Sequence, residues 1–200
     1  MKLELDRLAN RYGELIRKPN KTQTELKEKE EVRIALEAAY SEDEKPLVDD
    51  LQRAGFNFTS VWDLVNTKSS YKAAIPILLD HLSKPYHIKN KEGIVRALAV
   101  KEARGVACRA IINEYHKSSK KDFNYRWVLG NTMSVIITAD YIDDVIAIVL
   151  NESNGESRQM FISALGNTKS LRVIETLQQL RKDKDKTISK EAYKALKNIN

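Results

Sequence analysis

Few residues of this chain have the types and spacing to do chemistry. Three histidines occur, His81, His87 and His116. A metal site wants paired ligands on one helix face, as in His-Glu-x-x-His, or a Cys/His cluster. His81 and His87 stand six apart across Pro85 and fit neither pattern, so no metal or cofactor is expected. Cys108 is the one cysteine. It lies in "GVACRAII" with no evident base, which reads as a buried, inert thiol rather than a nucleophile. A glycine-rich phosphate loop and a Gly-x-Ser-x-Gly turn are both missing. Asp49–Asp50 and Asp143–Asp144 are adjacent pairs. Neighbours on a helix diverge by about 100°, so neither pair converges on a substrate. Asp143 and Asp144 instead suit the positive end of the helix in "DYIDDVIAIVL".

The elements that must position these residues are helical. The chain has 200 residues, enough for one sizeable domain, with 42% hydrophobic and 31% charged residues, too apolar for disorder. Seven Gly and four Pro are too few for a turn-rich β protein. No apolar run reaches the ~20 residues of a membrane span. The charged N-terminus "MKLELDRLANRYGELI" lacks the apolar stretch of a secretory signal. One cysteine permits no internal disulfide, and the cytoplasm is the expected location. The net charge of +6 suits either a polyanion or an acidic protein as partner.

Apolar spacing marks a first helix ending near Pro19 and a second over 22–40, with Glu25 and Lys29 spaced as an i,i+4 pair. Ser41 and Glu44 have capping-box spacing ahead of a third, "PLVDDLQRAG", which Gly55 would stop. Thr59 or Ser60 would cap "SVWDLV". Eight closely punctuated helices follow, at 74–83, 90–99, 101–116, 123–137, 140–151, 156–165, 169–182 and 188–199. Pro76 belongs in the first turn of its helix, which should begin no earlier than about residue 72, because the bond it lacks is not needed there. Ala97, Ile136, Ala164 and Ala195 recur near the ends of alternate helices, 39, 28 and 31 residues apart. A helix pair repeating at that length marks an α-solenoid.

"AIPILLDHLSKPYHIKNKEGIVRAL" (74–98) carries Pro76, then Leu78, Leu79 and Leu82, then Pro85, then Ala97–Leu98. "SALG" (163–166) is followed by "SLRVIETLQQL" (170–180). These stretches resemble the short bacterial HEAT repeat, of the PBS-lyase type, over residues 73–199. The unit at 123–151 departs from the pattern, with no Ala-Leu pair and no Pro in its loop. The resemblance implies an all-α, right-handed α-solenoid of stacked antiparallel helix pairs over 71–200. The helical region 1–70 would pack on it within one continuous domain.

Such solenoids bind on the face lined by their second helices. The expected partner-binding residues are Lys91, Glu92, Arg96, Arg126, Asn131, Arg158, Gln159, Ser163, Lys190 and Lys194. Arg96, Ser163 and Lys194 sit just before the recurring Ala-Leu element and would align as a stripe. The expected function is a non-catalytic interaction scaffold gripping a protein partner, monomeric, with no membrane contact. Neutralising a toxin or a defence component is one use the resemblance suggests. Nucleic acid is the alternative partner, because residues 84–104 carry a net +4 and residues 116–126 a net +3. Some HEAT-like proteins resemble alkylpurine DNA glycosylases, which carry Trp, Asp and Arg on the concave face. Trp62, Arg126, Trp127, Asp143 and Asp144 are of those types, but they do not match that pattern residue by residue.

Overall fold

The computed structural model describes residues 2–199. Over those residues the chain is all-helical, with eleven α-helices, four short 3-10 segments and no strand. The helix α1 (Lys2–Arg17) stops ahead of Pro19, as expected. The helix α2 (Gln23–Arg53) is one element of 31 residues where the sequence suggested two. Its capping box lies at Thr22 and Glu25. The Thr22 hydroxyl accepts from the Glu25 N–H, and the Glu25 carboxylate accepts from the Thr22 N–H. Glu25 also pairs with Lys18, just past the end of α1, not with Lys29.

The Ser41-x-x-Glu44 spacing starts no helix, because Glu44 serves another one. Its carboxylate, 3% exposed, accepts from the Ser60 hydroxyl at 2.8 Å and from the Val61 N–H at 2.9 Å. It thereby satisfies the start of α3 (Val61–Asn66), where Ser60 is the N-cap. Burial raises the Glu44 pKa, and these two bonds oppose the rise. Pro46 then lies inside α2 and forgoes a bond to the Glu42 carbonyl. Both residues are exposed, so water can serve that carbonyl. The helix ends in a Schellman motif. Gly55 takes φ +89°, and the N–H groups of Gly55 and Phe56 reach the carbonyls of Gln52 and Leu51.

All eight segments expected between 74 and 199 are helices: α4 (Ile75–Leu82), α5 (Ile88–Ala97), α6 (Cys108–Lys117), α7 (Phe123–Ile136), α8 (Ile142–Leu150), α9 (Gln159–Leu165), α10 (Leu171–Leu180) and α11 (Lys186–Ile199). Pro76 is the second residue of α4, after a 3-10 turn at Lys72–Ala74, so it opens the helix rather than breaking it. The largest shift is at α6, which begins at 108 rather than 101. Residues Lys101–Ala103 form a 3-10 turn, and Gly105 at φ +77° turns the chain before the helix can start.

The pairs α4/α5, α6/α7, α8/α9 and α10/α11 each pack together. The second members also touch in series, α3 on α5, α5 on α7, α7 on α9 and α9 on α11. Small residues allow this close approach. A Cβ on Gly93 would stand 2.5 Å from Val61 Cγ1, one on Gly130 2.8 Å from Met160 Cβ, and one on Gly166 2.9 Å from Ala195 Cβ. The Thr132 hydroxyl of α7 donates to the Val95 carbonyl of α5 at 2.9 Å. Among the first members, Arg109 of α6 pairs with Asp144 of α8 at 3.0 Å, and Asp143 with Arg172 of α10 at 2.6 Å. Those pairs are solvent-screened and contribute little.

One apolar cluster runs from Leu47 to Ala195. Leu5, Leu15 and Leu36 are buried outside it, where α1 packs on the first half of α2. Cys108 is fully buried, donates to the Ile136 carbonyl at 3.2 Å, and has its thiol pKa pushed up by burial, as suits an inert side chain.

Candidate functional site

The second helices place a band of half-exposed residues side by side: Trp62 on α3, Glu92 and Arg96 on α5, Trp127 and Asn131 on α7, and Ser163 on α9. Lys190 and Lys194 of α11 are exposed. The positions just before Ala97, Ile136, Ala164 and Ala195 hold Arg96, Val135, Ser163 and Lys194, and all four reach solvent at least in part. The series includes α3, which the sequence left outside the repeating region. Arg96 is held by Glu92 at 2.8 Å, and Lys194 lies 3.5 Å from Glu191, whose carboxylate also accepts from Gln159 at 3.2 Å.

Two expected contact residues are not on a surface. Arg126 is 4% exposed, with its guanidinium 4.1 Å over the Tyr115 ring and a bond to the Asn154 side chain at 2.8 Å. Its stem runs into the core because position 126 is only one turn into α7, on the side that meets α6. Arg158 is 2% exposed and lies in a 3-10 segment ahead of α9. It donates to the Gly155 and Val149 carbonyls and pairs with Asp183 at 2.9 Å. Asp183 and Asp185 therefore have structural roles within the alternating-charge stretch "RKDKDK" (181–186). Asp185 accepts from the Thr187 N–H at the start of α11. Lys91 is drawn inward as well, donating to Glu114 at 2.7 Å, while the Tyr125 hydroxyl donates to the same oxygen at 2.9 Å.

The basic stretch 84–104 shrinks when its partners are counted, whereas among the described residues Lys117, Lys120 and Lys121 of the second stretch pair with no carboxylate. Within 84–104, Lys84 pairs with Asp80, Lys91 with Glu114 and Arg96 with Glu92, while Lys89 lies 4.2 Å over the Trp62 ring. Among the described residues Lys101 and Arg104 remain without a carboxylate, Arg104 donating instead to the Ile137 carbonyl at 3.2 Å. The acidic stretch 41–50 is also used internally. Asp43 accepts from the His87 N–H and Asn90, Asp49 pairs with Lys45, and Asp50 pairs with Arg53 and His81.

His81 is fully buried between Asp50, 2.8 Å from Nε2, and the Tyr86 hydroxyl, 2.6 Å from Nδ1. Burial, with the Lys84 ammonium beside it, lowers its pKa and favours the neutral ring. A neutral ring satisfies both contacts by donating from Nε2 to the carboxylate and accepting from the tyrosine at Nδ1. Among the described residues no three His, Cys, Asp or Glu side chains gather as metal ligands, and no helix is long and apolar enough to cross a membrane.

Sequence reasoning missed a largely apolar cavity of about 380 Å3 where α1, α2, α3 and α5 meet. Tyr12, Leu36, Tyr40 and Trp62 line it, with Lys89 and Asn90. Asn90 is 1% exposed. Its amide nitrogen serves the Tyr40 carbonyl and Asp43, and its Oδ1 has no partner. Tyr40 and Asn90 are fifty residues apart, so no local pattern could announce this cavity. Compared with models of known families, with curated proteins and with solved structures, the chain matches none.

Proposed function

We propose that this chain is a non-catalytic binding module, a solenoid of HEAT-like helix pairs that grips a protein partner on the face of its second helices. One observation carries the reading: α3, α5, α7, α9 and α11 touch in series and leave Trp62, Arg96, Trp127, Asn131, Ser163 and Lys194 accessible along one layer. Aromatic and arginine side chains on such a surface are the types that dominate binding energy at interfaces. The titratable groups nearest to catalytic types are committed elsewhere. Glu114 is held by Lys91 and Tyr125, and His81 by Asp50 and Tyr86. A role in neutralising a toxin or a defence component fits such a module.

The test is comparative capture. Arg96→Glu with Lys194→Glu should lower affinity for the captured partner at least about tenfold, since truncating or inverting one well-placed contact costs more than about 1.4 kcal/mol. Circular dichroism should be unchanged, because both side chains reach solvent. Equal recovery of the same partner by both proteins would sink the choice of face. Binding of duplex DNA that falls steeply with salt would instead favour nucleic acid as the partner.

A further inference from the structure

A second concave site lies at one edge of the helix layers, away from the aromatic cavity. Here α3 and α5 end and the 3-10 turns at 72–74 and 101–103 begin. Leu64, Val65, Val100 and Val135 contribute apolar lining to a cleft of about 480 Å3. Lys68, Lys72 and Lys101 also line it, and among the described residues none of the three has a carboxylate partner. Of the other charged groups in the lining, Arg96 is held by Glu92, and Glu102, which accepts from the Ser70 hydroxyl at 3.1 Å, keeps one negative charge against the three lysines. Three ammonium groups around one cleft repel each other, and a multiply charged anion between them would turn that repulsion into attraction. The carbonyl ends of α3 and α5 bring partial negative charge to the cleft, at most about half a unit each, against three full lysine charges.

We propose that this cleft binds the phosphate of a small phosphomonoester, such as a nucleoside monophosphate. The dianion would lie among Lys68, Lys72 and Lys101, where lysine acts as a point-charge phosphate ligand, and the apolar part of the molecule would rest on Leu64, Val65, Val100 and Val135. One observation favours a small ligand over a nucleic-acid strand: the cleft has the volume of a small-molecule site. This site shares Arg96 and Val135 with the proposed partner-binding face and is otherwise separate from it.

The experiment is thermal unfolding in inorganic phosphate and in adenosine monophosphate, with chloride at matched ionic strength as reference. Ligand bound only by the folded state raises Tm, and saturating ligand should raise it by about 5 °C. The variant Lys72→Glu with Lys101→Glu, at two exposed positions, should keep its helix content and lose the shift. Absence of any shift in the wild type, or an equal shift in the variant, would overturn the site. A labelled single-stranded oligonucleotide supplies the second arm. Tighter binding of that strand than of the mononucleotide, with steep salt dependence, would also overturn the proposal and make the cleft part of a nucleic-acid track.

Discussion

Arg158→Ala is expected to be the most damaging single substitution, lowering stability by about 3–5 kcal/mol. Arg158 is 2% exposed, and its guanidinium joins the Gly155 and Val149 carbonyls to Asp183. Alanine leaves the Asp183 carboxylate, 7% exposed at its side chain, buried without its partner. In a chain of this size the loss should appear as a fall in Tm of about 10 °C. Its pH dependence has a definite sign. Burial alone would raise the Asp183 pKa, but the bonds from Arg158 and the Asp185 N–H outweigh it and hold the group below the ordinary aspartate range. In the wild type that stabilisation is present above the unfolded value near 3.8 and disappears as the pH falls through the lower folded value. In the variant, burial without the arginine raises the pKa, so the carboxylate becomes a liability above about pH 4. The deficit should therefore be largest at neutral pH and shrink on acidification. Arg158→Met combined with Asp183→Leu should recover much of the loss, since a buried pair replaced whole is tolerated better than half a pair. A deficit of under about 1 kcal/mol in Arg158→Ala at pH 7 would refute the buried-pair account.

Gly130→Val should cost about 3 kcal/mol, the upper end of ordinary overpacking. The added Cβ would stand 2.8 Å from Met160 Cβ and 2.9 Å from a Phe161 ring carbon. Met160 Cβ is fixed to its backbone and cannot swing aside, so α7 and α9 must part. The gain in helix propensity from removing glycine, under about 1 kcal/mol, does not compensate. Gly13→Ala is the contrasting case. Its new Cβ would meet only the flexible end of Arg17, at 3.6 Å, and α1 should gain up to about 1 kcal/mol. Denaturant midpoints of the two variants should move in opposite directions. A neutral Gly130→Val would mean that these helices are not in close contact.

The helices after residue 74 were legible because each carries its own apolar period and its own punctuation. Pro76, in the first turn of its helix, has a local reason that a reader of sequence can supply. The long α2 was not legible. Ser41-x-x-Glu44 followed by Pro46 is a correct local signature for a helix start, and it was overruled by a distant demand, the donors at the start of α3. Charge was the least legible feature. Arg126 and Arg158 look like surface residues until Tyr115 and Asp183 are placed beside them. Lys91, Arg96 and Lys84 look like a basic patch until Glu114, Glu92 and Asp80 are. A lone arginine says nothing of its partner 25 residues away, which is why the expected contact set lost two members while Arg96, Ser163 and Lys194 kept their exposure.

The separate burial of Leu5, Leu15 and Leu36 gives the chain two tiers of cooperativity. The α1 helix adds nothing to the main cluster. It touches the rest through α2, through the Tyr12 wall of the aromatic cavity, and through Asp6, 3.3 Å from His87. Detaching it exposes a few side chains, whereas separating α7 from α9 breaks the main core. Amide protons of α1 should therefore exchange with deuterium through a low-energy local opening, and those of α7 and α9 only through global unfolding. In such an opened state Tyr40 and Trp62 would lose the Tyr12 wall of their cavity.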